Sequence, residues 1–239
     1  MARNCDGSIG ADMKKVLLMR KIVEQKDPYA KDADDSTLMR FLRARDLDIN
    51  KAANFFINHL KWKREAIPKG FILEAEIKNE LAQRKLFSQG FDKKGRPIGV
   101  VLGCQHKPAN RDLDEFKRFT VYVIEKFCSR MQDQERFTVI ADLEGWGYSN
   151  CDLRGQFISL EILQNNYPER LGKLLVVHVP YLFMKVWKIV YPFIDKHTRE
   201  KIDFVEDKNM KSKLLEDIDE SQLPEKYGGR LKLVPIEES

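Results

Sequence analysis

Residues 167–201 read YPERLGKLLVVHVPYLFMKVWKIVYPFIDKHTREK, setting an acid, an apolar strand, a greasy segment and a basic turn in immediate succession. LLVVHV is a continuous apolar run, the signature of a strand buried on both faces of a parallel sheet. Residues 181–194, YLFMKVWKIVYPFI, carry only Lys185 and Lys188 as charges, so a helix here is apolar on nearly every face. Such a helix must be buried or must meet lipid. It is short of the roughly 20 apolar residues that span a bilayer, and Pro192 lies near its end. Two readings stay open, a core helix and an interfacial one. Lys196, Arg199 and Lys201 just beyond it favour the second, because lysines can snorkel toward phosphates while apolar side chains enter lipid.

Working outward, the same alternation continues. RFTVIADL reads as a strand, LRGQFISLEILQNN as a helix, KLLVVHV as a strand, then the greasy helix, a strand KIDFV and a terminal helix. Strands separated by helices of ten or more residues imply β-α-β crossovers and hence a largely parallel sheet. Upstream, a helix over 112–131 opens with Asp112 and Glu115 in capping-box spacing. Before it, FDKKGRPIGV joins a strand pair through the turn chemistry of Asp92, Gly95 and Pro97, preceded by a short helix around 73–85. Residues 11–66 read as a helical module: ADMKKVLLMRKIVEQK, a break at Asp27-Pro28, DDSTLMRFLRAR, then NKAANFFINHLKWKREA behind an Asn50 cap. The expected organisation is a flexible N-terminus over 1–10, a helical module over 11–70, an α/β domain over 71–230 and a tail over 231–239. The fold class is α/β with an N-terminal helical cap.

Composition excludes several functions. Hydrophobic residues at 43% and charged residues at 33% describe a globular chain rather than a disordered one. A net charge of +5 is too mild for nucleic-acid binding but compatible with attraction to an anionic membrane. Cys5, Cys104, Cys128 and Cys151 are widely spaced, which suggests no disulfide framework, no zinc site and a reducing, cytoplasmic compartment. The N-terminus lacks a secretory h-region and a Gly at position 2, so membrane contact is expected to be peripheral and reversible. The chain ends soon after YGGRLKLVPIEES, so targeting is expected from its own surface or from a partner.

No catalytic constellation stands out. Tyr122 and Lys126 have a Tyr-x-x-x-Lys spacing, but residues four apart are neighbours on any helix. Gly145 and Gly147 follow a strand without the third glycine or lysine of a phosphate-binding loop. No nucleophile elbow is present, and Cys104 and His106 read as strand-end packing with side chains pointing oppositely. His59, His106, His178 and His197 show no metal spacing. His178 reads as a hydrogen-bonded core histidine, and Asp142 as a cap of the loop that follows its strand. Arg40, Arg43 and Arg45 read as a solvated face with Phe41 and Leu42 turned inward.

Taken together, DDSTLMRFLRARDLDINKA, VIADLEG, the 165–202 run and LPEKYGG, spread in order from Asp34 to Gly229, resemble the CRAL-TRIO lipid-binding proteins, specifically phosphatidylinositol transfer proteins of the secretory-pathway type. The resemblance implies a hydrophobic pocket floored by the sheet, holding one lipid and closed by a gate helix. Leu182, Phe183, Val186, Trp187, Val190 and Phe193 would form that gate. It implies headgroup contacts at Glu169 of the YPER motif, Lys201 after the gate, Thr198 between them and Arg45 of FLRAR, with Arg170 in a structural ion pair. No enzyme activity, cofactor or metal is implied; the partners are phosphatidylinositol, a membrane surface and a phosphoinositide kinase. Asp46 replaces a basic residue frequent after FLRAR, which weakens that part of the headgroup shell. Phe137 and Val139 stand where phosphatidylcholine-binding members place hydroxyls. That apolar pair argues against phosphatidylcholine and leaves a sterol or another hydrophobic ligand as the alternative cargo.

Overall fold

The computed structural model describes residues 5–109, 111–131 and 134–239, with backbone alone over 5–9. By contact the chain divides into two units, one running to Phe71 and taking in Asn165–Glu169, the other comprising Ile72–Gln164 and Arg170–Ser239.

The first unit is built from α1 (Cys5–Lys26), α2 (Asp35–Arg43) and α3 (Ile49–Ala66). Helix α1 therefore starts within the stretch expected to be loose; residues 1–4 lie outside the described residues. Val16, Met19 and Val23 recur at helical spacing, so one stripe of α1 is buried against α2 and α3. At the centre, Phe41 packs its ring against Phe55 at 4.9 Å and Phe56 at 5.0 Å. The α2 start is fixed by Asp34, which accepts from the Thr37 N–H at 2.7 Å. The α3 cap is Asp48, accepting from the Lys51 N–H at 3.0 Å, and not Asn50. Both are good capping residues two apart, and the aspartate wins because the left-handed Asp46 and Leu47 deliver the chain there in the extended conformation a cap needs. Arg40 is also a correction: it is buried, with Nη2 donating to Thr37 Oγ1 at 2.8 Å, while Arg43 is exposed.

The second unit contains α4 (Lys78–Leu81), β1 (Leu86–Phe91), β2 (Pro97–Leu102), α5 (Leu113–Ser129), β3 (Phe137–Asp142), α6 (Leu153–Asn166), β4 (Leu171–Val177), α7 (Tyr181–Val190), α8 (Lys196–Arg199), β5 (Ile202–Phe204) and α9 (Met210–Asp217). The last two residues of α6 group with the first unit. The strands lie side by side in chain order. Strand β1 pairs antiparallel with β2 through a hairpin in which Asp92 accepts from the N–H groups of Lys94 and Arg96, and Gly95 takes φ +74°. The other pairings are parallel.

A sheet whose parallel strands advance steadily in one direction, joined by right-handed crossovers, must carry all its crossover helices on one face. Packing agrees. Phe127 of α5 stacks on Phe137 at 5.1 Å, and α6 and α7 pack with Ala141, Leu174 and Val176 on the same face. The opposite face, Ile98, Val100, Ile140, Leu175 and Val177, is closed by α9 and the segment through Tyr227. One sequence reading is altered here. Asp112 does cap α5, accepting from the Asp114 and Glu115 N–H groups, but the Glu115 carboxylate does not complete a capping box; it accepts from the Asn79 and Glu80 N–H groups and ties α4 to α5.

The closeness of α5 to the sheet depends on Gly99. A Cβ there would lie 2.3 Å from Phe127 Cζ. Gly99→Ala is expected to lose about 1–3 kcal/mol through forced displacement of the ring, measured as a lowered urea midpoint at unchanged slope.

Candidate functional site

The greasy segment is one helix and one turn. Pro180 caps α7 without a side-chain hydrogen bond, and Pro192 helps convert the chain after Val190 to a 3-10 turn over Tyr191–Phe193. Val186, Val190 and Ile194 are buried, with Leu182, Phe183 and Trp187 partly buried beside them, against Trp146, Leu174, Val176 and Ile202. Rings bind the inner face into a chain: Trp146 to Phe183 at 5.5 Å and Trp187 to Phe204 at 5.1 Å. The outward side of this helix carries both of its lysines and two large apolar residues. Tyr181 is 81% exposed, Lys185, Lys188 and Ile189 are exposed, and the Lys185 Nζ lies 5.4 Å from the Tyr181 ring centre. Phe193 is 60% exposed, its ring edge-on to Phe157 at 5.0 Å.

The two sheet faces differ. On the α9 side, Ile98, Val100, Ile140, Leu175 and Val177 are each 0% exposed. On the helical side, Phe137 and Val176 are buried, but the alternate residues Val101, Val139, Ala141 and Leu174 of the same interior strands are only half-buried, as are Leu153, Phe157, Ile158, Leu160 and Leu163 of α6. Apolar side chains in the middle of a sheet flanked by helices are ordinarily sealed at native packing density. Their residual exposure marks loosely filled space on this face.

The polar residues singled out in sequence fall into two sets. Arg45 and Glu169 belong to the first unit. The Arg45 guanidinium lies over the Phe55 ring at 3.7 Å and Nη1 donates to the Ala44 carbonyl at 2.7 Å. Asp46, beside it, is exposed. Glu169 holds a left-handed backbone at φ +59°, a costly conformation for a residue with a Cβ and one that recurs at functional positions. Thr198 and Lys201 belong to the second unit, on one turn: Asp195 caps it by accepting from the Thr198 N–H at 2.9 Å, the Lys201 N–H donates to the Thr198 carbonyl at 3.0 Å, and the Lys201 carbonyl accepts from Leu174 N–H at 2.8 Å. Arg170, expected in a structural ion pair, donates to the Glu135 carbonyl at 3.1 Å and to Met131 Sδ at 3.5 Å.

Comparison with known proteins identifies the architecture. Residues 81–229 match the CRAL/TRIO domain and residues 12–58 the CRAL/TRIO N-terminal domain. The chain belongs to the CRAL/TRIO family. It is 32% identical to a CRAL-TRIO domain-containing protein of Saccharomyces cerevisiae, covering 93% of this chain and 79% of that one. It is 30% identical to the Sec14 cytosolic factor of Schizosaccharomyces pombe, covering 93% and 84%, and 29% identical to the phosphatidylinositol transfer protein CSR1 of Eremothecium gossypii, covering 83% of this chain but 48% of the relative. The fold is like that of the crystal structure of Sfh5, with a TM-score of 0.67 at 21% identity over 86% of this chain and 75% of that one. As a CRAL/TRIO protein it is a lipid binder and not an enzyme. Among the described residues, no helix is long and apolar enough to cross a membrane.

Of the Tyr122 and Lys126 pair, the tyrosine is engaged in a structural contact. Tyr122 OH donates to Glu74 Oε1 at 3.0 Å, and burial together with that carboxylate pushes its pKa up, opposite to what a catalytic tyrosine needs. Two polar clusters escaped the sequence reading. Around Asp142, Oδ1 accepts from the Glu144 N–H at 2.9 Å, the loop cap that was expected, and from His178 Nδ1 at 2.8 Å; Oδ2 accepts from Tyr227 OH at 2.9 Å. Asp142, Glu144 and His178 bring ligand atoms within 4.8 Å of one another, but the Lys226 ammonium already lies between the carboxylates, 3.2 Å from Asp142 and 2.6 Å from Glu144.

The second cluster corrects the reading of His106 as simple strand-end packing. His106 Nε2 donates to Asp152 at 2.9 Å, Lys85 donates to His106 Nδ1 at 3.1 Å and pairs with buried Glu80, and Arg111 grips Asp152 through both terminal nitrogens. Burial pushes the Asp152 carboxyl up, but hydrogen bonds from His106, Arg111 and the Gly155 N–H outweigh it and hold its pKa well below the usual range. A depressed native pKa adds stability that is fully present above the unfolded value of about 3.9 and lost as pH falls below it. Asp152→Asn is therefore expected to cost about 3–5 kcal/mol near neutrality, with the gap to wild type narrowing below about pH 4, read from urea unfolding across pH.

Proposed function

We propose that this protein holds one phospholipid, phosphatidylinositol, with its acyl chains against the half-buried helical face of the sheet, and that α7 is the gate through which the lipid exchanges with a membrane. The observation that carries the reading is the contrast between the sheet faces: one with five strand residues completely buried, the other with half-buried aliphatic and aromatic side chains among its buried ones, under a helix whose ends are proline turns. The transfer function named for a relative, CSR1, supports the choice of lipid.

Leu182, Phe183, Val186, Trp187 and Val190 form the gate's inner face, with Phe193 at its rim. The outer face, Tyr181, Lys185, Lys188 and Ile189, has the mixed aromatic and cationic character of a helix that rests on an anionic surface. For the headgroup we assign, on the turn after the gate, Lys201 as a charge-assisted donor to the phosphodiester and Thr198 as an acceptor for inositol hydroxyls. With an apolar Phe137 and Val139, phosphatidylcholine is not the expected second cargo; a sterol or other apolar ligand is the alternative. The protein then works in the cytoplasm, visits membranes reversibly and presents its lipid to a phosphoinositide kinase.

Energetics require a gate. At about 0.8 kcal/mol per methylene, two chains of some 30 methylenes carry on the order of 24 kcal/mol of transfer free energy, far too much for release into water. Exchange into a bilayer offers equal burial and is nearly neutral, so gate motion sets the rate.

Lys201→Ala is expected to abolish phosphatidylinositol transfer between vesicles while leaving the thermal transition in place; an unchanged transfer rate would sink the headgroup assignment. Changing both Phe183 and Trp187 to Asp should slow exchange at least about tenfold, since each charge must be desolvated for closure. Normal exchange by a folded double variant would contradict the gate.

A further inference from the structure

We propose that His178 is a positioning residue for α7: its imidazole, latched to Asp142, holds the end of β4 in a left-handed turn and so sets where α7 lies on the sheet. The functional consequence rests on the gating reading above; the geometry does not.

His178 follows the last residue of β4 and precedes the α7 cap, Pro180, by two positions. Its φ is +50°, in the region that residues with a Cβ avoid unless neighbouring contacts impose it. The contact that imposes it is the hydrogen bond from Nδ1 to Asp142 Oδ1 at 2.8 Å. Asp142 is a fixed post. Its side chain is 1% exposed, and the same carboxylate is held by the Glu144 N–H, the Tyr227 hydroxyl and the Lys226 ammonium. Glu144, Lys226 and Tyr227 are thus the charged and titratable groups around the pair, and none of them lies on α7.

At its front end the helix is held by apolar packing, with Phe183 edge-on to Trp146 at 5.5 Å, and has no capping side chain of its own. Pro180 brings no N–H and no side-chain cap, and Phe183 N–H returns to the Pro180 carbonyl at 2.9 Å. At the far end, Gln164 donates to the Phe193 carbonyl and accepts from the Asp195 N–H, but these bonds are exposed. Arg199 Nε also donates to the Ile194 carbonyl at 2.7 Å there, so the far end has its own anchor; at the front end the side-chain hydrogen bond that fixes the entering chain is that of His178 to the buried Asp142. If His178 relaxed from the left-handed to the extended region, the direction of the chain entering α7 would change, which is how a few hinge dihedrals move a whole element.

Hydrogen–deuterium exchange on the whole protein tests this with His178→Ala, which removes the latch, and His178→Asn, whose short side chain tolerates a left-handed backbone and can still donate to Asp142. The expected result for His178→Ala is exchange raised about tenfold over residues 181–193, with β3 and β4 as in wild type and most of the effect reversed in His178→Asn. Unchanged exchange over 181–193 would overturn the proposal, as would a rise shared equally by β3 and β4, which would make His178 a general packing residue. Loosening of α7 with unaltered phosphatidylinositol exchange between vesicles would leave the latch standing and refute the gate.

Discussion

The structure depends on a topological constraint: four strands running parallel in chain order with right-handed crossovers. That arrangement forces α5, α6 and α7 onto one face of the sheet and leaves the other bare. The bare face is sealed by chain that comes after the last strand, α9 and the segment carrying Tyr227, which bury Ile98, Ile140 and Leu175 completely. The fully buried strand residues and the half-buried ones thereby fall on opposite sides of the sheet. The sealed face needs no help from the crossover helices, so those helices can stand over half-buried side chains without the domain losing its core.

Asp142 sits where these two halves meet, at the end of β3. From the sealed side it takes the Tyr227 hydroxyl, and from the strand leading to α7 it takes His178. Desolvation disfavours its charge, but the bonds from Glu144, His178, Tyr227 and Lys226 outweigh that and hold it ionised. A buried carboxylate satisfied this fully is costly to disturb, which makes it a stable reference against which a neighbouring helix can be positioned.

Much of this was legible in the sequence. The unbroken apolar run of β4 reported a strand covered on both faces, and LRGQFISLEILQNN coincided with α6 because strand and loop signals bounded it on each side. Locally coded caps were read with mixed success: Asp112 was correct, whereas Asp48 displaced Asn50 because a left-handed pair after α2 moved the entry point. What escaped were contacts made at long range. The partners of Asp142 lie 36 and 85 residues away, and His106 meets Asp152 across 46; no local spacing encodes either. Arg40 looked solvated because its spacing matched Arg43, yet packing turned it inward. The outer lysines of α7 were visible as letters, but only the helix geometry separated the face that carries them from the face that meets the sheet.

Native mass spectrometry with lipid extraction, on protein purified from cells that contain phosphatidylinositol, tests the central claim most directly. A one-to-one adduct whose extracted lipid is phosphatidylinositol is the expected result. A protein that carries no lipid would contradict the pocket, and a sterol or other hydrophobic ligand in place of phosphatidylinositol would contradict the choice of cargo.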